Sequence, residues 1–191
     1  LRLLGRNAQK KNQLIGGIPV DSEYIIFIID TSGSMFSYAW ERMLLEMEAT
    51  LNIYPEVKGI QVLNDMGNYL FSRYRGEWIP DTPARRSLIL QNLRNWNVFS
   101  NSSPVEGITN AVRTFYDPGK KISIYVFGDE FTGASIQSVV QTVDKLNAEE
   151  AGGERRVRIH AVGFPVQFIR PPELQATGVR FATLMRELTL R

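Results

Sequence analysis

The stretch that decides the fold is Tyr24-Ile-Ile-Phe-Ile-Ile29, followed directly by Asp30-Thr-Ser-Gly-Ser34. An unbroken run of β-branched and aromatic residues is typical of a strand covered on both faces, as in a parallel sheet flanked by helices. The small polar residues after it predict a loop, and the apolar spacing that follows predicts a helix over Tyr38–Asn52. The fold therefore opens with a strand–loop–helix unit.

The rest of the chain continues to alternate between predicted strands and helices. Further strands are predicted at Gly59–Asn64, at Asn68–Ser72, where the chain returns antiparallel to the preceding strand, at Lys121–Phe127 and at Val157–Val162. Further helices are predicted at Pro83–Leu93, Pro104–Tyr116, Ile136–Leu146 and Val179–Leu190. This order predicts a three-layer α/β/α domain with a Rossmann-like, mainly parallel sheet and one antiparallel edge strand.

The composition excludes several classes of function. The chain has 191 residues, of which 43% are hydrophobic and 22% charged, and it contains no cysteine. Thiolate catalysis, zinc–cysteine sites and iron–sulfur clusters are therefore excluded. The single histidine, His160, is predicted to be a packed or hydrogen-bonded strand residue. A net charge of +2 does not indicate a nucleic-acid partner, and no apolar run approaches the ~20 residues of a membrane span.

Charge divides the chain into two parts. Residues 1–20 are predicted to be a basic linker or N-terminal extension, and residues 21–191 a single soluble domain. The linker contains no acidic residue and four basic ones, Arg2, Arg6, Lys10 and Lys11. The chain begins with Leu1 rather than methionine, which indicates a fragment or a processed form. We expect it to belong to a bacterial cell envelope or to be one domain of a larger protein.

Two of the predicted strands end in an aspartate, Asp30 and Asp129. If these strands are parallel and adjacent, their carboxylates meet at one edge of the sheet. Ser32 and Ser34 place hydroxyl groups in the loop after Asp30. Carboxylate and hydroxyl oxygens suit a hard cation, most naturally Mg²⁺, with Mn²⁺ or Ca²⁺ as alternatives. The same loop also fits a plain helix N-cap, because Asp and Ser side chains accept hydrogen bonds from free backbone N–H groups.

The segment Ile28-Ile29-Asp30-Thr31-Ser32-Gly33-Ser34-Met35 resembles the Asp-x-Ser-x-Ser signature of von Willebrand factor type A (vWA) domains. The order of elements over about residues 21–190 resembles that family as well. The signature opens the family's metal-ion-dependent adhesion site. The resemblance implies that Asp30, Ser32, Ser34 and Asp129 hold a Mg²⁺ ion, directly or through water. It further implies that the ion accepts an acidic side chain of a partner protein as its last ligand.

The family's site also uses a threonine from the loop before a later helix, and no Gly-Thr loop of the usual form occurs here. The candidates are Ser102, Ser103 and Thr109. A helix over residues 110–116 would be about 10 Å long, whereas the strand after it spans about 23 Å. A helix that begins at Pro104 reaches about 20 Å and favours Ser103 as the ligand. Serine before proline is also a common helix start, which is the alternative interpretation.

Side chains that flank the predicted metal loops are candidates for the rim of a partner contact, namely Phe36, Phe99, Glu130 and Phe131. Where the family often has glycine after its second aspartate, this chain has Glu130, which adds to the negative field or points to solvent. The family's sheet usually has a sixth strand. None is found after Val157–Val162, and it could lie beyond Arg191.

These observations predict a divalent-metal-dependent protein-binding module. One alternative is an interaction domain of the same fold without a metal. Another is an enzyme resembling haloacid dehalogenases, in which Asp30 would be the nucleophile of a phosphatase reaction. Such enzymes need a second aspartate two residues later as general acid, and Ser32 occupies that position. We therefore expect no catalytic activity.

Overall fold

The structure, a computed structural model, describes residues 14–15, 18–147 and 157–190. Most of the predicted linker lies outside the described residues. The part of it that is described forms a short antiparallel pair, β1 (Leu14–Ile15) and β2 (Ile18–Pro19). The main sheet consists of β3 (Tyr24–Ile29), β4 (Gly59–Asn64), β5 (Ile122–Gly128) and β6 (Val157–Gly163).

The four strands of the main sheet are all parallel, in the order β4-β3-β5-β6. The chain therefore passes from β3 to β4 on one side and then crosses to β5 on the other side of β3. This reversal is a topological switch point, and in open α/β sheets ligands bind at the carboxyl ends of the strands beside such a point. The loops after β3 and β5 are consequently the first places to look for a site.

Among the described residues, six α-helices cover the sheet. They are α1 (Gly33–Tyr38), α2 (Trp40–Ile53), α3 (Pro83–Arg94), α4 (Val105–Phe115), α5 (Ile136–Leu146) and α6 (Ala176–Thr189). Most of them lie within one to three residues of the helices predicted from the sequence. None of the helices in the described ranges has both the length and the apolar character needed to cross a membrane.

Alternate residues of β3 enter two different cores, which makes the domain three-layered. Ile25, Phe27 and Ile29 pack in the core that contains α1, α2 and α3. Ile26 and Ile28 pack in the core that contains α4, α5 and α6. Because side chains of a strand alternate between its faces, a strand that is apolar throughout is buried on both sides. The structure confirms the predicted three-layer α/β/α fold.

The predicted antiparallel edge is present only as isolated bridges. Leu63 pairs with Tyr69 and Ile60 pairs with Ile79, but no continuous strand forms over 68–72. The side chain of Asn64 is one reason, because its Oδ1 accepts hydrogen bonds from the N–H groups of residues 66 and 68. A 3₁₀ turn at Ser72–Tyr74 then interrupts the extended path.

The predicted loop ends at Ser34 and the predicted helix begins at Tyr38, whereas the structure has the helix α1 over Gly33–Tyr38. It is separated from α2 by Ala39, whose ψ of −8° departs from helical geometry. The apolar spacing that predicted α2 does not extend back into α1, so α1 was not predicted. The tight succession of Asp30, a two-residue loop and a helix fixes the direction in which the first predicted metal loop faces.

Candidate functional site

Asp30 and Asp129 lie close together at the carboxyl ends of β3 and β5, on the two sides of the switch point. Ile29 is the register partner of Phe127, and the N–H of Asp30 donates to the carbonyl of Phe127 at 2.8 Å. Both aspartates are buried, with 3% and 2% of their surface exposed. The structure thus brings the two predicted carboxylates to one place, while metal ligation by them stays a prediction.

Gly128 permits the close approach of these two strand ends. A Cβ at this position would lie 2.9 Å from the ring of Phe181 in α6 and 3.3 Å from the Cβ of Asp30. Contacts of the first kind are shorter than packed side chains tolerate, so a larger residue would push β5 away from α6 or from Asp30. The glycine therefore helps to set the spacing of the site.

The loop after Asp30 presents two hydroxyl groups. The Oδ1 of Asp30 accepts a hydrogen bond from the N–H of Ser32 at 2.8 Å, and the hydroxyls of Ser32 and Ser34 lie 3.1 Å apart. Ser32 is the N-cap residue of α1, but its side chain makes no capping hydrogen bond. The hydroxyls of Ser32 and Ser34 therefore bond to each other rather than cap α1, whereas the bond from the N–H of Ser32 to Asp30 is of the kind that the capping alternative expects.

A third buried carboxylate, Asp65, joins the site, and sequence reasoning missed it. Asp65 follows β4 directly and is fully buried. Its Oδ1 accepts a hydrogen bond from the N–H of Thr31 at 3.4 Å, and its Oδ2 accepts one from the N–H of Ser103 at 3.2 Å. Its position at the end of a buried strand, which Asp30 shares, is the signal that could have found it.

Two of the three candidates for the third loop lie at the site. Ser103 binds Asp65 through its backbone, just before α4. Ser102 is buried, its hydroxyl donates to Glu130 at 3.0 Å, and its φ of +53° is in the left-handed region that most residues avoid. Thr109, in contrast, lies within α4 rather than in the loop before it. The geometry therefore keeps Ser103 and Ser102 as candidates.

The two carboxylate oxygens of Asp129 differ in their hydrogen bonding, and only one of them has a partner among the described residues. Its Oδ2 accepts a hydrogen bond from the Nε2 of Gln167 at 2.7 Å. Its Oδ1 is buried and has no hydrogen-bond partner within the described part of the chain. The same holds for Oδ2 of Asp30. Buried polar atoms are nearly always hydrogen-bonded, and these two oxygens are therefore acceptors that a ligand at this place could use.

The electrostatics of the site disfavour three negative charges. Burial raises the pKa of Asp30 to about 8, and the nearby carboxylate of Asp65 adds to this effect. Burial also raises the pKa of Asp65 and the pKa of Asp129. Desolvation penalises the charged form of an acid, and a neighbouring like charge increases the penalty. A bound cation would remove both penalties.

The residues fit a hard divalent cation only if hydroxyl groups and water complete its set of ligands. Within the described ranges, no group of three or more His, Cys, Asp or Glu side chains is arranged to ligate a metal. A cage made of carboxylates alone is therefore excluded there. A site that combines the unpaired oxygens of Asp30 and Asp129 with serine hydroxyls and water matches the oxygen chemistry of Mg²⁺, which usually keeps several waters.

The residues predicted to form the rim of a partner contact differ in exposure and contacts. Phe99 is 71% exposed and makes an edge contact with Phe36, which in turn packs against Trp40 with ring centroids 4.0 Å apart. Glu130 is half-buried and is held by Ser102. The prediction for Phe131 is wrong, because this side chain is fully buried in the core beside α6.

The reason for the burial of Phe131 is the path of the chain after Glu130. The N–H of Phe131 donates to the carbonyl of Thr177 at 3.0 Å, which turns the side chain inward. His160 behaves as predicted for a packed strand residue. It stacks on Tyr125 with centroids 4.8 Å apart, and its Nε2 lies 3.3 Å from the hydroxyl of Ser123.

Comparison with known proteins adds no argument to what the structure itself shows. The chain matches no protein-family model and no curated protein. One solved structure similar to it is described as "Crystal Structure of the SpRpn10 VWA domain". The two share 12% sequence identity, the match covers 85% of this chain and 96% of that one, and the TM-score is 0.48. A similarity of this size carries no argument about function, which depends on the geometry of the site itself.

Proposed function

We propose that this domain binds a divalent cation, most naturally Mg²⁺, at the switch point and uses it to bind an acidic side chain of a partner protein. The observation that supports this most directly is the pair of buried, unpaired oxygens on Asp30 and Asp129. These two residues would hold the cation together with the hydroxyls of Ser32 and Ser34. Ser103 is the candidate from the third loop.

The chemistry of these ligands explains why a partner would be recruited. Hydroxyl groups are neutral, so a cation that takes several of its ligands from serines and water keeps part of its positive charge. Such an ion gains free energy when it accepts one further carboxylate. Asp65 contributes indirectly, because its hydrogen bonds to the N–H groups of Thr31 and Ser103 hold two of the ligand loops together.

Apolar side chains at the same end of the sheet indicate what surrounds the partner's carboxylate. Tyr38 and Phe99 are each 71% exposed, and Ile169, which follows Gln167 in the 3₁₀ turn Gln167–Ile169, is 82% exposed. Exposed apolar side chains near a site are candidates for contact with a partner. The partner segment that fits is an acidic residue flanked by apolar ones.

Titration calorimetry with MgCl₂ tests the proposal. We expect the unaltered chain to bind one ion and Asp30→Asn to bind none, with both showing the same circular dichroism spectrum. Asp117→Asn is the matched control, because this aspartate lies in the turn before β5, at the opposite end of the strand, and pairs with Lys120. Absence of heat and of any thermal shift with millimolar Mg²⁺ in the unaltered chain would overturn the proposal.

The second candidate is an interaction domain of this fold that needs no metal. The absence of a three-residue cluster of His, Cys, Asp or Glu among the described residues favours it. In that case the partner contact depends on the apolar rim, and Mg²⁺ has no effect on partner binding or on stability.

For the enzymatic alternative, we expect no hydrolysis of a generic phosphomonoester, since Ser32 and not an acidic residue lies two residues after Asp30.

A further inference from the structure

Gln167 is a fully buried polar side chain whose contacts point to the site. It lies in the connection between β6 and α6. Its Nε2 donates to the Oδ2 of Asp129 at 2.7 Å, and its Oε1 is buried without a partner among the residues that the structure describes. The amide atom that faces Asp129 is the nitrogen, which suits an ionised carboxylate because such a group only accepts hydrogen bonds.

The backbone around Gln167 is fixed on both sides, so the amide does not reach Asp129 by chance. The N–H of Phe164 donates to the carbonyl of Gly128 at 2.9 Å, and Phe164 and Val166 are buried in the core beside α2. On the other side, a Cβ at Gly178 would lie 2.9 Å from the Cβ of Gln167. The connection therefore packs against the end of β5 and against α6.

A single donor on one oxygen decides how a carboxylate is oriented. The terminal torsion of an aspartate is broad, and without a fixed partner either oxygen of Asp129 could face the cation. The bond from Gln167 occupies Oδ2 and leaves Oδ1 as the free acceptor. Side chains that hydrogen-bond to a metal ligand from outside the site orient that ligand and affect the affinity for the metal.

We propose that Gln167 is a positioning residue of the cation site, and this inference rests on the proposed function. Its amide nitrogen orients Asp129 so that Oδ1 faces the ion. Its Oε1, which has no partner among the described residues, would be free to accept a hydrogen bond from a water ligand of that ion. Gln167 is neutral, so it supports Asp129 without cancelling the charge that attracts the cation.

Titration of variants with MgCl₂ tests this role. Gln167→Met keeps the length and volume of the side chain and removes both polar atoms. We expect its Mg²⁺ affinity to fall by about 10- to 100-fold, as is typical when an outer partner of a metal ligand is lost. Gln175→Met is the matched control, because among the described residues this amide bonds to the carbonyls of Phe168 and Arg170 in the same connection. We expect it to bind Mg²⁺ like the unaltered chain.

A second measurement uses the unaltered protein and does not depend on a variant that folds. The side-chain NH₂ signals of Gln167 in a ¹H–¹⁵N spectrum should shift when Mg²⁺ is added. Half of the shift should be reached at the Mg²⁺ concentration at which calorimetry shows half-saturation. The NH₂ signals of an amide that does not contact the site, such as Gln175, should show no such response.

The outcomes separate this inference from the proposed function. If the unaltered chain binds no Mg²⁺, both fail. If it binds Mg²⁺ but Gln167→Met binds equally well, or if the Gln167 amide signals do not move, only the role of Gln167 is overturned. Equal loss of affinity in Gln167→Met and Gln175→Met also overturns it, because the connection as a whole would then be responsible.

Discussion

Asp65 illustrates how one buried residue can connect two loops. Its carboxylate accepts hydrogen bonds from the N–H groups of Thr31 and Ser103. We expect Asp65→Ala to lower the free energy of unfolding by about 2 kcal/mol, because two buried donors lose their acceptor. Urea denaturation at neutral pH measures this. Asp117→Ala, at an exposed turn, should cause a smaller change, and an equal effect of the two would contradict the assigned role.

His160 gives a prediction about pH. Burial, with a smaller effect from the charge of Arg158, lowers the pKa of His160 from 6.5 to about 4. Between these values the unfolded chain takes up a proton that the folded chain does not, so stability is lost as pH falls from 6.5 toward 4. We expect the loss between pH 7 and pH 5 to be about 1 kcal/mol smaller in His160→Gln, allowing for the partial exposure of the ring.

Urea denaturation of both proteins at the two pH values measures the difference. The comparison isolates His160, since all other titrating groups are common to the two chains. If both proteins lost the same stability between pH 7 and pH 5, the lowered pKa would be wrong.

At the level of single residues, the sequence was sufficient to predict the position of side chains that follow a clearly apolar strand. Asp30 and Asp129 could be placed at one edge because an apolar run precedes each of them. Gln167 could not be found in this way, since it lies in an irregular connection and becomes relevant only through its contact with Asp129. The burial of Phe131 was missed because it depends on a hydrogen bond to a distant part of the chain.

At the level of elements, helix α4 depends on a glycine for its close contact with β4. A Cβ at Gly107 would lie 2.7 Å from the carbonyl oxygen of Asn64, and the N–H of Gly107 donates to the carbonyl of Asp65 at 2.7 Å. We expect Gly107→Ala to cost about 1–3 kcal/mol, because the backbone must move to relieve the overlap. The shift would also displace Ser103, at the start of the same helix.

Thermal melting and Mg²⁺ titration together test this prediction. Gly33→Ala is the stability control, because no atom lies within 4 Å of a Cβ placed there. It should leave the melting temperature nearly unchanged. A Gly107→Ala protein as stable as the unaltered one would show that α4 can move without cost.

Elements with a strong periodic pattern were predictable, and those shaped by local side-chain bonds were not. The bounds of β3, β4 and α5 agree with the sequence prediction because each combines a clear apolar pattern with polar ends. The antiparallel edge failed as a strand because the side chain of Asn64 takes the N–H groups that would otherwise begin a ladder. Such competition between side chain and backbone has no periodic signature.

At the level of the whole molecule, the site costs stability in the absence of a cation. Burial raises the pKa of Asp30 from 3.8 to about 8. Over that range the folded chain keeps a proton that the unfolded chain releases, so metal-free protein loses stability as pH rises. We expect Asp30→Asn to lack this part of the loss and to be more stable than the unaltered chain at pH 8.

Melting temperatures measured in a metal-free buffer at pH 5 and pH 8 test this expectation. Addition of Mg²⁺ at pH 8 should raise the melting temperature of the unaltered chain in a concentration-dependent way and leave Asp30→Asn unchanged, because a ligand stabilises only the folded form that binds it. If the melting temperatures of the two proteins changed by the same amount between pH 5 and pH 8, the prediction would be contradicted.

The strand order has a consequence for how the chain is made. β3 is the first strand of the main sheet to leave the ribosome, yet it ends between β4 and β5. Its first neighbour follows soon, but the other edge keeps unpaired N–H and C=O groups until β5 has been synthesised. An apolar strand with one open edge is prone to pair with other chains. We infer that this interval is when a nascent chain most needs a chaperone, and that neither core can close before it ends.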